Sequence, residues 1–583
     1  MAELSPELLR ERLEGFVEVL EAERDTWNVA AIGVGVVLGN ELIDTQCVGF
    51  RDYENKLPMT SGTLIPIASN TKLITSVACG LLVAEGELTW DEPVKRAVPA
   101  ITFSTDHLNL NVSLRDMLAH RTGITRHDRI WYKSNFSRAE LFDRLRLLEP
   151  QAPLRTQFIY NNLMYAAAGY LIELVTGLTW EQFVVERILN PLQMNATRLS
   201  IPHLLANPNH GVPYGEDRDG FQLKKLPHYE QIEGCAPAGA LISNLEEVAR
   251  WMGVLLNDGN LEGRHVVPSK VIAATMEPAL ATPNVAAETK GYWENLNAFA
   301  GMGRMISVYR GHLLASHGGY LDGFHTQVSI MPREKIGVAA FVIGDHAGAL
   351  PNVLSFNLYE RLLGLDLTPW SSRLNAERLS AKEALIQKRK SARDTPQAVA
   401  VGRNPAHPLE DYAGAFESTA YGFVQITLDL QLRFEFNGFR APLEHVWFER
   451  FDTPDDEHFG KFSLNFFTNS DGDVEKVVLS LDGSEQAFTR VPVLPSDDVM
   501  RKLAGNYRLP DASVSEVELR PNGDLVVTKL SQVEMKLTPY RGLTFKCKDM
   551  PELSFTFQLE DGVPLSVEMT DSTGTLTFPR ISG

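Results

Sequence analysis

The sequence predicts an α+β fold in which a mixed helical and β region precedes two antiparallel β-barrels. Three observations predict it. Helix-like and strand-like segments interleave over 1–371, a charged stretch punctuated by proline occupies 372–408, and alternating apolar segments recur from 409 onward. An internal repeat then divides the last zone into 409–495 and 496–583: Leu409 to Phe416 aligns with Met500 to Tyr507, each copy carrying an Ala-Gly pair.

In chain order, Ser5, Pro6 and Glu7 have the form of a helix N-cap with proline in the first turn, and Leu9, Leu13, Phe16, Val17 and Leu20 make one apolar helical stripe. Val29–Leu38 reads as a buried strand. Thr71–Glu85 reads as a buried helix, with further helices at Tyr165–Thr176 and Glu181–Leu189, and the β-branched run Ile336–Ile343 as a core strand. Leu374–Arg393 reads as an exposed helix that stops at Asp394-Thr395-Pro396, with a linker through Gly402, Pro405 and Pro408. Beyond it, strands such as Val424–Leu428 and Leu553–Phe557 are separated by the turn pairs Asn437-Gly438, Asp471-Gly472, Asn522-Gly523 and Asp561-Gly562. Closing each copy into a barrel removes exposed strand edges.

Composition excludes several classes. Hydrophobic residues make up 44% and charged residues 22%, the profile of a globular chain with real cores. A net charge of −19 repels phosphate backbones, so nucleic acid is not an expected partner, while cationic groups are attracted. The N-terminal segment lacks the apolar core of a secretory signal, and the longest apolar runs are too short to cross a bilayer, so no membrane is expected. Cys47, Cys79, Cys235 and Cys547 are scattered without a CxxC pair, which fits a reducing cytoplasmic setting and indicates neither a disulfide framework nor a metal site.

No GxSxG, HExxH, GxxxxGK[ST] or GxGxxG signature is present in a useful context. What remains is Ser69 with Lys72 where a loop enters the buried helix. Residues three apart share a helix face, so the amine can reach the hydroxyl and act as its base if desolvation lowers its affinity for protons. Taken in isolation, a pair of this kind is better read as a capping serine and a solvated lysine. Tyr160 and Asn162 offer a phenol that becomes a base beside a cation, and an amide to hold lysine or substrate. His317, Gly318, Gly319 and Tyr320 end a strand-like run where glycines let a substrate backbone approach. Tyr53 with Asn55, and His346 with Gly348, mimic the second and third clusters.

Taken in order, Ser69-x-x-Lys72, Tyr160-x-Asn162 and His317-x-Gly319 resemble the penicillin-binding-protein-like serine hydrolases, which include class C β-lactamases, D-alanyl-D-alanine carboxypeptidases, esterases and D-aminopeptidases. Flanking segments at Leu81–Val94, Val112–Ile124, Leu171–Thr197 and Ala238–Ser243 extend the resemblance across about Val29–Asp345. It implies a β-lactamase/transpeptidase-like domain, with a helical subdomain beside an antiparallel sheet flanked by helices. It implies Ser69 as acylated nucleophile, Lys72 and Tyr160 sharing proton transfer, Asn162 orienting Lys72 and substrate, and backbone N–H groups of Ser69 and Tyr320 as the oxyanion hole. The family's motif order sets aside Tyr53, which precedes the nucleophile, and His346, which follows the last strand.

Many relatives of this kind begin the third motif with lysine, a permanent cation for a substrate carboxylate. His317 is neutral near pH 7 at its ordinary pKa, which turns the expectation from β-lactams toward esters, amides and short peptides with a free amine. The catalytic-domain-plus-two-barrels layout resembles D-aminopeptidases, in which a barrel loop can enter the pocket. The expected function is therefore a serine aminopeptidase or amidase with D-preference, acting on a small molecule or short peptide without a cofactor or metal. Esterase or acyltransferase chemistry, and a silent ligand-binding homologue, are the alternatives. Three roles stay open for the barrels: ligand binding, gating the site, or forming a homodimer. Tyr292, Trp293 and Phe324 are further candidates to line a pocket, with packing roles equally open to each.

Overall fold

A computed structural model describes residues 4–229, 232–283, 285–394, 404–456, 459–493, 495–528 and 534–581. The chain opens with two helices, α1 (Pro6–Arg12) and α2 (Phe16–Trp27), rather than one continuous stripe. Gly15 takes φ +69° between them, so Leu9, Leu13, Phe16 and Leu20 are buried whereas Val17 turns out to solvent.

Strands β1 (Ala31–Leu38), β2 (Glu41–Asp52) and β3 (Leu57–Pro58) come next, then the helices α3 (Thr71–Glu85), α4 (Asn162–Thr176) and α5 (Leu245–Leu256). Six strands follow: β4 (Leu280–Ala281), β5 (Asn295–Ala300), β6 (Met305–Tyr309), β7 (His312–Leu321), β8 (Phe324–Met331) and β9 (Ile336–Ile343). They form one antiparallel sheet in the order β4-β5-β6-β7-β8-β9-β1-β2-β3. Its alternation explains why β9 is apolar throughout. Ile336, Val338, Ala340 and Val342 join a core with α1, α2 and α6 (Leu350–Leu363), while Ala339, Phe341 and Ile343 join the core made with α3, α4 and α5.

Helices α3 and α4 are buried on nearly all sides, which matches their lack of a polar face. The expected helix Glu181–Leu189 is α-helical only over Trp180–Val184 and continues as a π-helical turn, Val185–Leu189. Among the described residues no single helix is long and apolar enough to cross a membrane, although the bent pair Asn162–Thr176 and Trp180–Leu189 is so by length and composition. The expected exposed helix, α7 (Trp370–Asp394), starts earlier than its charged pattern shows because Trp370 is buried and Trp27 Nε1 donates to Ser371 Oγ at 3.0 Å. The linker residues Thr395, Pro396 and Gly402 lie outside the described residues.

The two C-terminal sheets are barrels, the first nearly closed and the second closed. Nine strands between Gly414 and Arg490 form the first, whose first and last strands pair at Phe416 and Arg490. Eight strands from Gly505 to Ile581 form the second, closed by the pairing of Asn506 with Ile581. The repeat has a structural meaning. Each copy is a short helix, Leu409–Tyr412 or Asp497–Leu503, followed by an Ala-Gly step into the first strand. An arginine at the far end of the barrel latches that step. Arg490 donates to Ala413 O at 2.6 Å, and Arg580 to Ala504 O at 2.9 Å.

Candidate active site

Ser69 sits in a single 3-10 turn, Ala68–Asn70, that runs into α3. The turn is strained, since Ala68 takes φ +47°, a region a β-carbon disfavours. It is held by a network: Asn70 Nδ2 donates to Ile67 O (3.1 Å) and Thr326 Oγ1 (2.9 Å), Thr326 Oγ1 donates to Ile67 O (3.0 Å), and Thr71 Oγ1 donates to Ala68 O (2.6 Å). β7 presses against this turn at Gly319, where a β-carbon would stand 2.2 Å from Ile67 O and 2.4 Å from Thr326 Oγ1. The glycine therefore serves approach by the nucleophile turn, not only approach by substrate. Gly318 has more room, its nearest neighbour being Gln327 Oε1 at 3.2 Å.

The three distant clusters converge. Lys72, fully buried in the first turn of α3, places Nζ 3.0 Å from Ser69 Oγ and donates to Ala238 O at 2.7 Å. Tyr160 donates its phenol proton to Ser69 Oγ at 2.8 Å. Burial drives the Lys72 amine from its ordinary 10.5 down to about 7 and pushes the Tyr160 phenol up. Of the two groups expected to share the proton transfer, burial thus loosens the amine's hold on its proton and tightens the phenol's. His317 lines the same cleft with its Nδ1 2.6 Å from Gly318 O, and desolvation next to Lys72 pushes it down to about 4. It is a neutral residue, not a cation, in the third motif.

Asn162 lines the cavity but does not hold Lys72, the other half of its expected role. Its side chain donates to Asp128 Oδ1 at 3.0 Å, and the Lys72 amine is held by the Ala238 carbonyl instead. Asp128 also receives Trp131 Nε1 (2.8 Å) and Arg126 Nε (2.7 Å), and the Arg126 guanidinium lies 5.2 Å from the centre of the Tyr160 ring. Asp128 and Arg126 belong to no motif and escape a reading by spacing; the nearest sequence signal is that they follow the family-like segment Val112–Ile124, while Ala238 opens the family-like segment Ala238–Ser243 without its carbonyl's role being legible there.

Ser69, Tyr160, Asn162 and His317–Tyr320 line one cavity of about 530 Å³. Tyr320 stands over its mouth, half exposed, with its hydroxyl on Asp345 Oδ1 (3.1 Å) and its ring stacked on His325. Asp322 accepts from Tyr132 Oη at 3.1 Å and lies 3.6 Å from Lys133 Nζ. The three aromatic candidates do not line this cavity: Tyr292 packs on Trp370 with its hydroxyl on Glu377, Trp293 is exposed, and Phe324 is in the sheet core. Tyr53 and His346 have structural settings, the first packed on Phe50 and Tyr214, the second bonded to Trp27 O at 2.9 Å.

None of the described residues lining the cavity belongs to either barrel. The first barrel instead backs the wall. His127 Nδ1 is 2.7 Å from Tyr421 Oη, Arg129 N donates to Asp482 Oδ2 (2.9 Å), and Asn437 Nδ2 donates to Arg129 O (2.6 Å). Arg126, Asp128, Trp131 and Tyr132, on the same segment, face the cavity.

A family model described as Beta-lactamase matches residues 17–354, and one described as Domain of unknown function (DUF3471) matches 399–490. Among curated relatives, the chain is 27% identical over 439 residues to Unguisins hydrolase ungD' of Aspergillus campestris, covering 71% of this chain and 78% of that one. It is 22% identical over 328 residues to Protein flp of Staphylococcus aureus, covering 55% and 61%. In fold it is similar to the octameric penicillin-binding protein homologue from Pyrococcus abyssi, with a TM-score of 0.53, 20% identity, and coverage of 82% of this chain and 99% of that one.

Proposed function

The chain belongs to the beta-lactamase family, and from that premise we propose that it is an amidase or peptidase working through an acyl-enzyme on Ser69. The single observation that carries this is the pair of contacts on one oxygen: an amine of lowered basicity at 3.0 Å and a protonated phenol at 2.8 Å. Neutral Lys72 takes the Ser69 proton as Oγ bonds to the substrate carbonyl carbon. Tyr160 gives its proton to the departing amine as the carbon–nitrogen bond breaks, and recovers one from the Lys72 ammonium. Water then repeats the sequence in reverse and frees the acid. A carbonyl oxygen seated between the nucleophile turn and β7 would meet the Ser69 and Tyr320 N–H groups proposed as the oxyanion hole.

Preference for a free amine and a D-residue is the finer part of the proposal and rests on the two-barrel layout. A relative named a hydrolase of unguisins supports hydrolysis. The cavity of about 530 Å³, free of barrel residues, favours a second reading with larger acyl donors, including esters and acyl transfer. The four free thiols support a reducing cytoplasmic setting. Homodimer formation belongs to the same reading and is tested by sedimentation velocity. The deciding experiment is a panel of D- and L-aminoacyl p-nitroanilides, with free and acylated amines, beside simple esters. Turnover of free D-aminoacyl anilides supports the first reading, and ester turnover alone moves the assignment to esterase.

A further inference from the structure

One buried polar side chain in the wall of the large cavity has no part in the proton transfers at Ser69. Gln327 of β8 is 6% exposed and lines that cavity. Its carboxamide has no hydrogen-bond partner among the described residues, and its oxygen and nitrogen both keep accessible surface. Burying an amide without a partner is unfavourable, so a group that completes it when bound accounts for its presence there.

The strand register says which part of a substrate the amide would meet. Gln327 pairs with Gly318 of β7, so the two residues share a face of the sheet. Gly318 has no side chain to cover the amide: a β-carbon there would stand 3.2 Å from Gln327 Oε1. β6 pairs with β7 only as far as Ser316, which leaves the edge of β7 from His317 onward free to receive an extended chain. Tyr160, His317 and Gly318 line both the large cavity and a smaller one of about 280 Å³, whereas Ser69 lines only the large one. Tyr160 is the proton donor proposed for the departing amine, so Gly318 and the amide behind it lie on the departing side of the scissile bond. Neighbouring cations are engaged or sealed. Arg126 Nε donates to Asp128 at 2.7 Å, and Arg304, behind the smaller cavity, turns Nη1 to Met276 Sδ (3.0 Å) and has Nε and Nη2 without accessible surface.

We propose that Gln327 binds the next peptide group of the substrate on the departing side, its oxygen accepting that N–H and its nitrogen donating to that carbonyl. The proposal rests on the acyl-enzyme reading and deepens it. It names peptides cleaved at an internal bond, whose chain continues past the departing residue, in place of primary amides and of peptides that end there in a free carboxylate. A carboxamide matches a peptide group in both donor and acceptor, whereas a carboxylate has acceptors only and leaves the Gln327 oxygen unpaired.

The test uses the full chain and three probes: D-alanylglycine N-methylamide, D-alanylglycine methyl ester and free D-alanylglycine. The first two differ by N–H against O. Fluorophosphonate labelling reports the Ser69 nucleophile. We expect kcat/KM for cleaving the alanyl–glycine bond to be about tenfold higher for the N-methylamide than for the ester in the wild type, lower still for the free acid, and equal for amide and ester in Gln327→Met. Calorimetric binding to Ser69→Ala and to Ser69→Ala/Gln327→Met, which needs no turnover, should follow the same ranking. A labelled wild-type enzyme that binds and cleaves amide and ester alike, or none of the three, overturns the Gln327 assignment and leaves the acyl-enzyme reading intact. So does an amide preference that persists in Gln327→Met. A Gln327-dependent preference in binding without any labelling supports Gln327 and overturns the nucleophile. Should Gln327→Met fail to fold, Gln327→Glu decides: its charge should depress the free acid relative to the N-methylamide by about a further tenfold, and an unchanged ratio refutes the proposal.

Discussion

Replacing Lys72 with methionine should make the protein more stable and inactive at once. The amine is fully buried, and its displacement from 10.5 to about 7 corresponds, at 1.36 kcal/mol per tenfold change in proton affinity, to about 5 kcal/mol charged against the ammonium. The folded pKa lies below the unfolded one. Between about 7 and 10.5 the unfolded chain therefore binds the extra proton and stability rises with pH, whereas below about 7 the whole penalty is present. Methionine has a similar volume and no charge. It leaves Ala238 O without its 2.7 Å donor, a loss of about 1–3 kcal/mol. The net expectation at pH 6 is a gain of about 2–4 kcal/mol for Lys72→Met, shrinking toward zero and reversing as pH approaches 10. Urea unfolding of both proteins at pH 6, 8 and 9.5 measures the gap. Single-turnover acylation should show wild-type kcat/KM climbing through a limb near pH 7, as the amine loses its proton, and no acylation in the variant. A stability gap independent of pH, or an activity limb near 10, would refute the assignment of Lys72 as the base.

Tyr160→Phe removes one hydrogen bond and the proposed proton donor, so kcat should fall about 10²- to 10⁴-fold while the melting temperature moves little. Gly319→Ala drives a methyl against Ile67 O and Thr326 Oγ1 and should cost about 1–3 kcal/mol and most labelling of Ser69, whereas Gly318→Ala, with 3.2 Å to a flexible side-chain end, should be much milder in thermal denaturation. Tyr421→Phe leaves His127 Nδ1 unpartnered at the first barrel's docking face and should cost about 1–3 kcal/mol. It should also raise KM more than it lowers kcat, measured by steady-state kinetics on the best substrate of the panel.

The legible part of the site was what local periodicity encodes. Ser69 and Lys72 share a helix face, and a helix with no polar side has to be buried, which desolvates the lysine. The order of the three clusters separated His317 and Tyr160 from their look-alikes. What escaped depends on tertiary approach. Asn162 turns to Asp128 because a short helix, Asp128–Trp131, 34 residues upstream delivers a carboxylate there. Asn437 and Gly438 read correctly as a hairpin turn, with φ +46° and +73°, yet the same Asn437 side chain clasps the backbone of Arg129 across the domain boundary. A turn signal says how a chain reverses and nothing about what its tip touches.

That clasp separates shape from contact. The first barrel grips one side of a segment whose other side faces the reacting serine, so it works as a mould for a surface it never presents. Exchanging the hairpin tips around Tyr421, Asn437 and Asp482 would then be a way to retune selectivity while every side chain that meets the substrate stays as it is.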